Sequence, residues 1–193
     1  MASSQSYLCF VAWLSGDVLE ADLVGSAALA EFRRVGNLRE VAAVLVSLGA
    51  AATYRGETDL AAQRLEEALA LARRLGYQEA IAWSLHELAI LGRRRRRSAH
   101  EIELMLRDAL LAHQQLGDRW RVASVLEEIA GSVLARRDAS GAIRLLAAAR
   151  RSGSGSGRPC PRPSSPTTRR RSRACVAGSR RRRTPRPGSR GCS

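Results

Sequence analysis

Along the first three quarters of this chain, apolar residues recur at steps of three and four, without strand-like alternation, and each stripe stops at the same kind of place. Val35-Gly36, Leu75-Gly76 and Leu116-Gly117 each pair an apolar residue with a glycine, at intervals of 40 and 41 residues. The flanks return as well. Leu29-Ala30, Leu69-Ala70 and Leu110-Leu111 precede the glycine, while Val41-Ala42, Ile81-Ala82 and Val122-Ala123 follow it. Leu45, Leu48 and Gly49 then match Leu85, Leu88 and Ala89, and after them Leu126, Ile129 and Ala130. Stripes of this spacing predict amphipathic helices of roughly 15 to 18 residues, two to a unit. Gly36, Gly76 and Gly117 stand where a left-handed residue ends a helix. Asn37 with Glu40 and Ser98 with Glu101 have capping-box spacing, and Asp118 and Asp138 are predicted N-caps.

A unit of about forty residues that repeats in tandem predicts an all-α array of antiparallel helix pairs, a right-handed α-solenoid of about three and a half repeats. Gly16-Asp17 leads to Gly36 over the same distance as Gly56-Glu57 leads to Gly76, so the array starts in mid-unit. The predicted divisions are a half repeat at 7–35 and repeats at 37–75, 77–116 and 118–150, forming one domain over 1–150. Residues 7–14 would close a first helix whose beginning is short or missing, as expected of a piece of a longer protein. Both ends of the array are expected to fray, leaving amide exchange slowest over residues 41–109.

Leu45, Leu48-Gly49, Ala61, Leu65 and Ala68 follow a large, large-small, then small-large-small order. This order resembles the tetratricopeptide repeat. The unit is longer than that family's usual 34 residues, the proline that commonly closes the second helix is absent, and Ala52, Gly92 and Val133 stand in place of a usual tyrosine. The longer units are similar to the C-terminal arrays of LuxR-type and related signal-transducing ATPase regulators of high-GC bacteria, over about residues 17–150. What that resemblance implies is a concave groove lined by the first helix of each pair. The implied partner-binding positions are Val46, Thr53, Tyr54, Trp83, His86, Ile90, Arg93, Ser124 and Glu127, with Trp83 and His86 as the anchors or, alternatively, Trp83 packed between helices.

Composition changes sharply near residue 150. Residues 151–193 hold all six prolines and thirteen arginines but no acidic residue, so of the net charge of +14 only +1 belongs to residues 1–150. A segment so poor in apolar side chains is expected to be a disordered Arg/Pro/Ser/Gly-rich tail. One reading is a basic arm in which Arg169, Arg170, Arg171, Arg180, Arg181, Arg182 and Arg183 contact the phosphates of a nucleic acid. The other is out-of-frame translation of GC-rich DNA beginning between residues 146 and 152. The chain has no lysine, and the tail uses only residue types with GC-rich codons.

No enzyme chemistry emerges. His86, His100 and His113 lack Cys, Asp or Glu at metal-ligand spacing, and Cys9, Cys160, Cys175 and Cys192 form no CxxC pair, so neither a metal nor a disulfide framework is expected. The glycines of residues 153–157 lack the GK[ST] ending of a phosphate loop, and no cofactor is implied. The arginine run at 93–97 is either an anion contact or a solvated turn. With no leader, no span and unpaired cysteine, the cytoplasm is the expected location and no membrane partner is implied. The expected function is a non-catalytic protein-interaction or scaffold module. Its partner would be a protein or peptide, or other domains of a parent transcriptional regulator whose sensor region this is. The alternatives are a basic nucleic-acid-binding protein acting through its tail, and a non-functional fragment of a decayed gene.

Overall fold

The computed structural model describes residues 2–153. Eight helices follow one another: α1 (Ala2–Ser15), α2 (Val18–Arg34), α3 (Leu38–Arg55), α4 (Thr58–Leu75), α5 (Gln78–Arg94), α6 (Ala99–Gln115), α7 (Arg119–Ala135) and α8 (Ala139–Gly153). Each packs on its neighbours in sequence, as antiparallel pairs, and there is no strand among the described residues. The fold is the all-α tandem array that the period predicts. The first pair is fuller than the expected half repeat, with α1 at 14 residues against 17 for α2.

Every turn is built the same way. One or two residues past the end of each of the first seven helices a residue takes a left-handed conformation, at Gly16, Gly36, Gly56, Gly76, Arg96, Gly117 and Arg137, in steps of 20 or 21 residues. At Gly36 the amide donates to the Arg33 carbonyl at 3.3 Å, and the next amide, that of Asn37, donates to the Phe32 carbonyl at 3.0 Å. This pair of bonds satisfies two orphan carbonyls and recurs at all seven turns. The underlying period is therefore a single helix of about twenty residues, and the forty-residue unit is two of them.

The predicted caps are present at the starts. Ser98 Oγ accepts from the Glu101 amide while Glu101 Oε2 accepts from the Ser98 amide, both at 3.2 Å. Asn37, Asp118 and Asp138 likewise accept from the amide three residues on.

The core runs in two overlapping bodies, one from Cys9 to Ala80 and one from Ala52 to Val125. Small residues let the helices close up. A Cβ at Gly49 would lie 2.6 Å from Leu65 Cγ, and one at Gly25 would lie 2.6 Å from Cys9 Sγ. Gly49 shares its register with Ala89 and Ala130, both buried, so a small residue recurs at this point of each unit.

Candidate partner-binding surface

Because α3 packs against α1 and α5 as well as α2 and α4, the first helices of successive pairs form an inner row. Where α1, α3 and α5 meet, the row opens into a hollow of about 420 Å³. Ser6, Tyr7 and Phe10 of α1 form one wall. Ala43, Val46 and Ser47 of α3 form the floor, with Glu40 at its edge, and Tyr77, Glu79, Ala80 and Trp83 close the far side. Small floor residues between bulky aromatic walls make a recess wide enough for one large side chain of a partner.

Behind this hollow the row is plugged. Arg121, at the start of α7, lays its guanidinium over the ring of Trp83 at 3.3 Å and also meets the rings of Trp120 at 4.3 Å and Trp13 at 5.3 Å. Phe10 packs on Trp83 at 5.0 Å between centroids, and Trp13 meets Trp83 edge-on at 5.9 Å. Arg121 NH1 also lies 3.7 Å from Oε1 of Glu87, and both residues are buried. Burial pushes the Glu87 carboxyl up to about 7, with the charge of Arg121 acting against it. A cation so enclosed is held by aromatic faces as much as by its counter-charge. This arrangement joins α1, α5 and α7, which lie far apart in sequence.

The predicted positions divide into three groups. Val46 and Trp83 border the hollow, and Trp83 also packs between helices, which unites the two readings of that residue. Tyr54 and Ile90 are half-buried on the same row, with Arg94 over the Tyr54 ring at 5.6 Å, and Ser124 is half-buried and Glu127 exposed on α7.

Thr53 and His86 require a correction. Thr53 is fully buried and its hydroxyl donates to the Gly49 carbonyl at 3.0 Å. His86, at 1% exposure, meets the His113 ring edge-on at 6.3 Å. Burial, followed by the charge of Arg121, holds His86 well below the ordinary imidazole value, so it is a neutral core ring. The helix turns these two inward because their row is flanked by the next pair.

The arginine run serves the fold. Arg93 pairs with Glu128 and donates to Ser132 Oγ at 2.8 Å, Arg94 donates to the Thr53 carbonyl at 2.6 Å, Arg95 reaches Asp59 at 2.9 Å and Arg97 reaches Glu66 at 3.5 Å. These side chains bridge neighbouring pairs, and Arg96 supplies the left-handed turn. Four of the five cations are thus engaged within the molecule, which disfavours the anion contact.

Among the described residues, no group of three metal-ligating side chains comes together, and no helix is long and apolar enough to cross a membrane. Cys9 is buried, and burial pushes its thiol up to about 11, far from a reactive thiolate. The polyanion candidates from Arg169 onward lie outside the described residues. Tyr7, Phe10, Trp13, Tyr77 and Trp120, with Glu40, Glu79 and Arg121, are members of the inner row that spacing alone passes over. One signal could have found the aromatics: the chain's three tryptophans all fall in first helices of their pairs.

No protein-family model and no curated protein matches the chain. Among solved structures, it is similar to the crystal structure of BtubC (BKLC) from P. vanneervenii, with a TM-score of 0.60 at 18% sequence identity. The alignment covers 99% of this chain and 86% of that one. At that identity the likeness is one of fold alone: a tetratricopeptide-like array of helix pairs.

Proposed function

We propose that this chain is a non-catalytic interaction module whose inner row receives a segment of a protein partner, and that it is the sensor region of a bacterial transcriptional regulator. The observation that carries the first part is the hollow between α1, α3 and α5. It is large enough for a bulky side chain, walled by aromatics, and sits on the face that tandem helix pairs present to ligands. The regulator origin is supported by the resemblance of residues 17–150 to the arrays of such proteins. An open frame upstream encoding a P-loop ATPase domain is its expected genomic counterpart.

Random peptides displayed on phage and selected against the full chain test the interaction reading. They should compete with one another, and Ala43→Arg, which fills the hollow, should abolish their binding. Selection that returns only peptides indifferent to Ala43→Arg refutes it.

A further inference from the structure

The hollow between α1, α3 and α5 carries a charge that its apolar floor does not require. Glu40 and Glu79 both border it, and neither is ion-paired among the described residues. Glu40 Oε2 accepts only from Ser6 Oγ at 3.2 Å, and Glu79 Oε2 from the Tyr77 hydroxyl at 3.5 Å. These are single neutral donors for groups able to accept several bonds. Ser47 gives an independent indication. It is 5% exposed, borders the same hollow, and its hydroxyl makes no hydrogen bond to any described residue. Its oxygen is not sealed from solvent, so the hydroxyl can be reached from the hollow and can exchange a hydrogen bond with a ligand there.

The molecule itself demonstrates what its aromatic faces accept. Besides Arg121 over Trp83, Arg39 lies at 4.1 Å over the ring of Tyr77, which borders the hollow. Guanidinium groups on aromatic rings are thus a repeated contact of this row, favoured because the group is planar, cationic and weakly hydrated. Carboxylates at the edge, a hydroxyl at the floor and aromatic walls together complement such a group and repel an acidic one.

We propose that the recess formed by Glu40, Ser47, Glu79 and the rings of Phe10, Tyr77 and Trp83 receives an arginine side chain of a partner peptide. This rests on the interaction reading above and names the chemistry of its partner. Arg39 is the neighbouring like charge, and it makes no ion pair among the described residues. It therefore opposes the incoming cation, so its removal should strengthen binding. An acidic ligand would show the opposite response to Arg39→Ala.

The experiment uses the full chain and three pools of capped hexapeptides with arginine, glutamate or norleucine fixed at one central position and the other positions randomised. Affinity is read from changes in tryptophan fluorescence, with thermal melts of each variant as the control for folding. The arginine pool should bind at least about tenfold more tightly than the other two. Glu40→Gln with Glu79→Gln should erase that preference without lowering the melting temperature, and Arg39→Ala should tighten binding of the arginine pool. If the glutamate or norleucine pool binds best, and Ala43→Arg blocks it, the arginine inference falls while the interaction reading stands. If no pool binds and displayed peptides ignore Ala43→Arg, both fall.

Discussion

Helices α3 and α8 occupy different environments, although the same repeat pattern specifies both. α3 is enclosed by α1, α2, α4 and α5, and an almost unbroken run from Val44 to Thr53 is buried. α8 packs chiefly on α7 and buries only Gly141, Ala142 and Ala149, leaving Ile143 and Leu146 exposed at 66% and 42%. At the start of the array α1 buries Cys9, Ala12 and Trp13 and leaves Tyr7, Leu8 and Val11 exposed, so both outer helices are covered on one side only. In a stack where each pair touches only its neighbours, stability accumulates from interfaces, so the same helix is worth more inside than in the last described pair.

Arg121 ties α7 to α1 and α5 through the rings of Trp13 and Trp83 and the Glu87 carboxylate, and breaking it should give the largest effect. Arg121→Met leaves Glu87 buried beside apolar groups and removes the cation from the three indole rings. Losing one partner of a buried pair costs about 3–5 kcal/mol, which a denaturant titration would read directly. Adding Glu87→Leu should restore most of the loss, because two apolar residues of similar volume replace the pair without a stranded charge. A double variant as unstable as Arg121→Met alone would mean that the aromatic cage, and not the ion pair, holds α7 in place.

A smaller effect separates two buried titrating neighbours. The Glu87 carboxyl rises from its ordinary 4.5 to about 7 on folding, so it adds stability in full below pH 4.5, and that stability is lost as pH rises through 7. His86 is lowered from 6.5, so it adds stability above that value that is lost as pH falls below it. Between pH 4.5 and 6.5 the two oppose one another, and the native protein should show little dependence on either.

Substitution should unmask each slope. Relative to the native chain, Glu87→Gln should gain stability as pH rises from 4.5 to 7, and His86→Met should gain as pH falls below 6.5. Each slope is limited to about 1.4 kcal/mol per pH unit. Parallel pH profiles for native and variant proteins would show that these groups reach solvent, and would break the contrast between the enclosed interior and the open end.

Much of this architecture can be read in the residues themselves, because helix ends and stripes are local properties. Gly36 and Ser98 announce a stop and a start through bonds within one turn, and the apolar stripes announce which face is buried. The inner row was only partly legible. Val46 and Trp83 border the hollow, whereas Thr53 and His86 are buried away from it by neighbouring helices, a fact of tertiary packing that a single repeat does not contain. Arg121, Trp13 and Trp83 meet across more than a hundred residues without a common register. Sequence spacing has no means of linking them.

The two turns closed by arginine where the others carry glycine offer the finest test of the comparison. Arg96 and Arg137 hold φ angles of 54° and 65°, in the register where the other turns carry glycine. A side chain in the left-handed region costs about 1–2 kcal/mol, part of which glycine returns by accepting that conformation without a Cβ clash. Arg96→Gly and Arg137→Gly should therefore each add about 1 kcal/mol locally, less the Coulomb contacts of the lost side chain, of which Arg137 has none among the described ion pairs. Arg96 joins α5 to α6 within an inner pair, so its gain should appear in global unfolding. Arg137 joins α7 to α8, and if the last pair opens before the rest, its gain should appear as slower amide exchange in α8 alone, with the main melting transition unmoved. Equal rises in the main transition for both variants would mean that the array unfolds as one cooperative unit, and that the sparse burial of α8 does not make it a separate one.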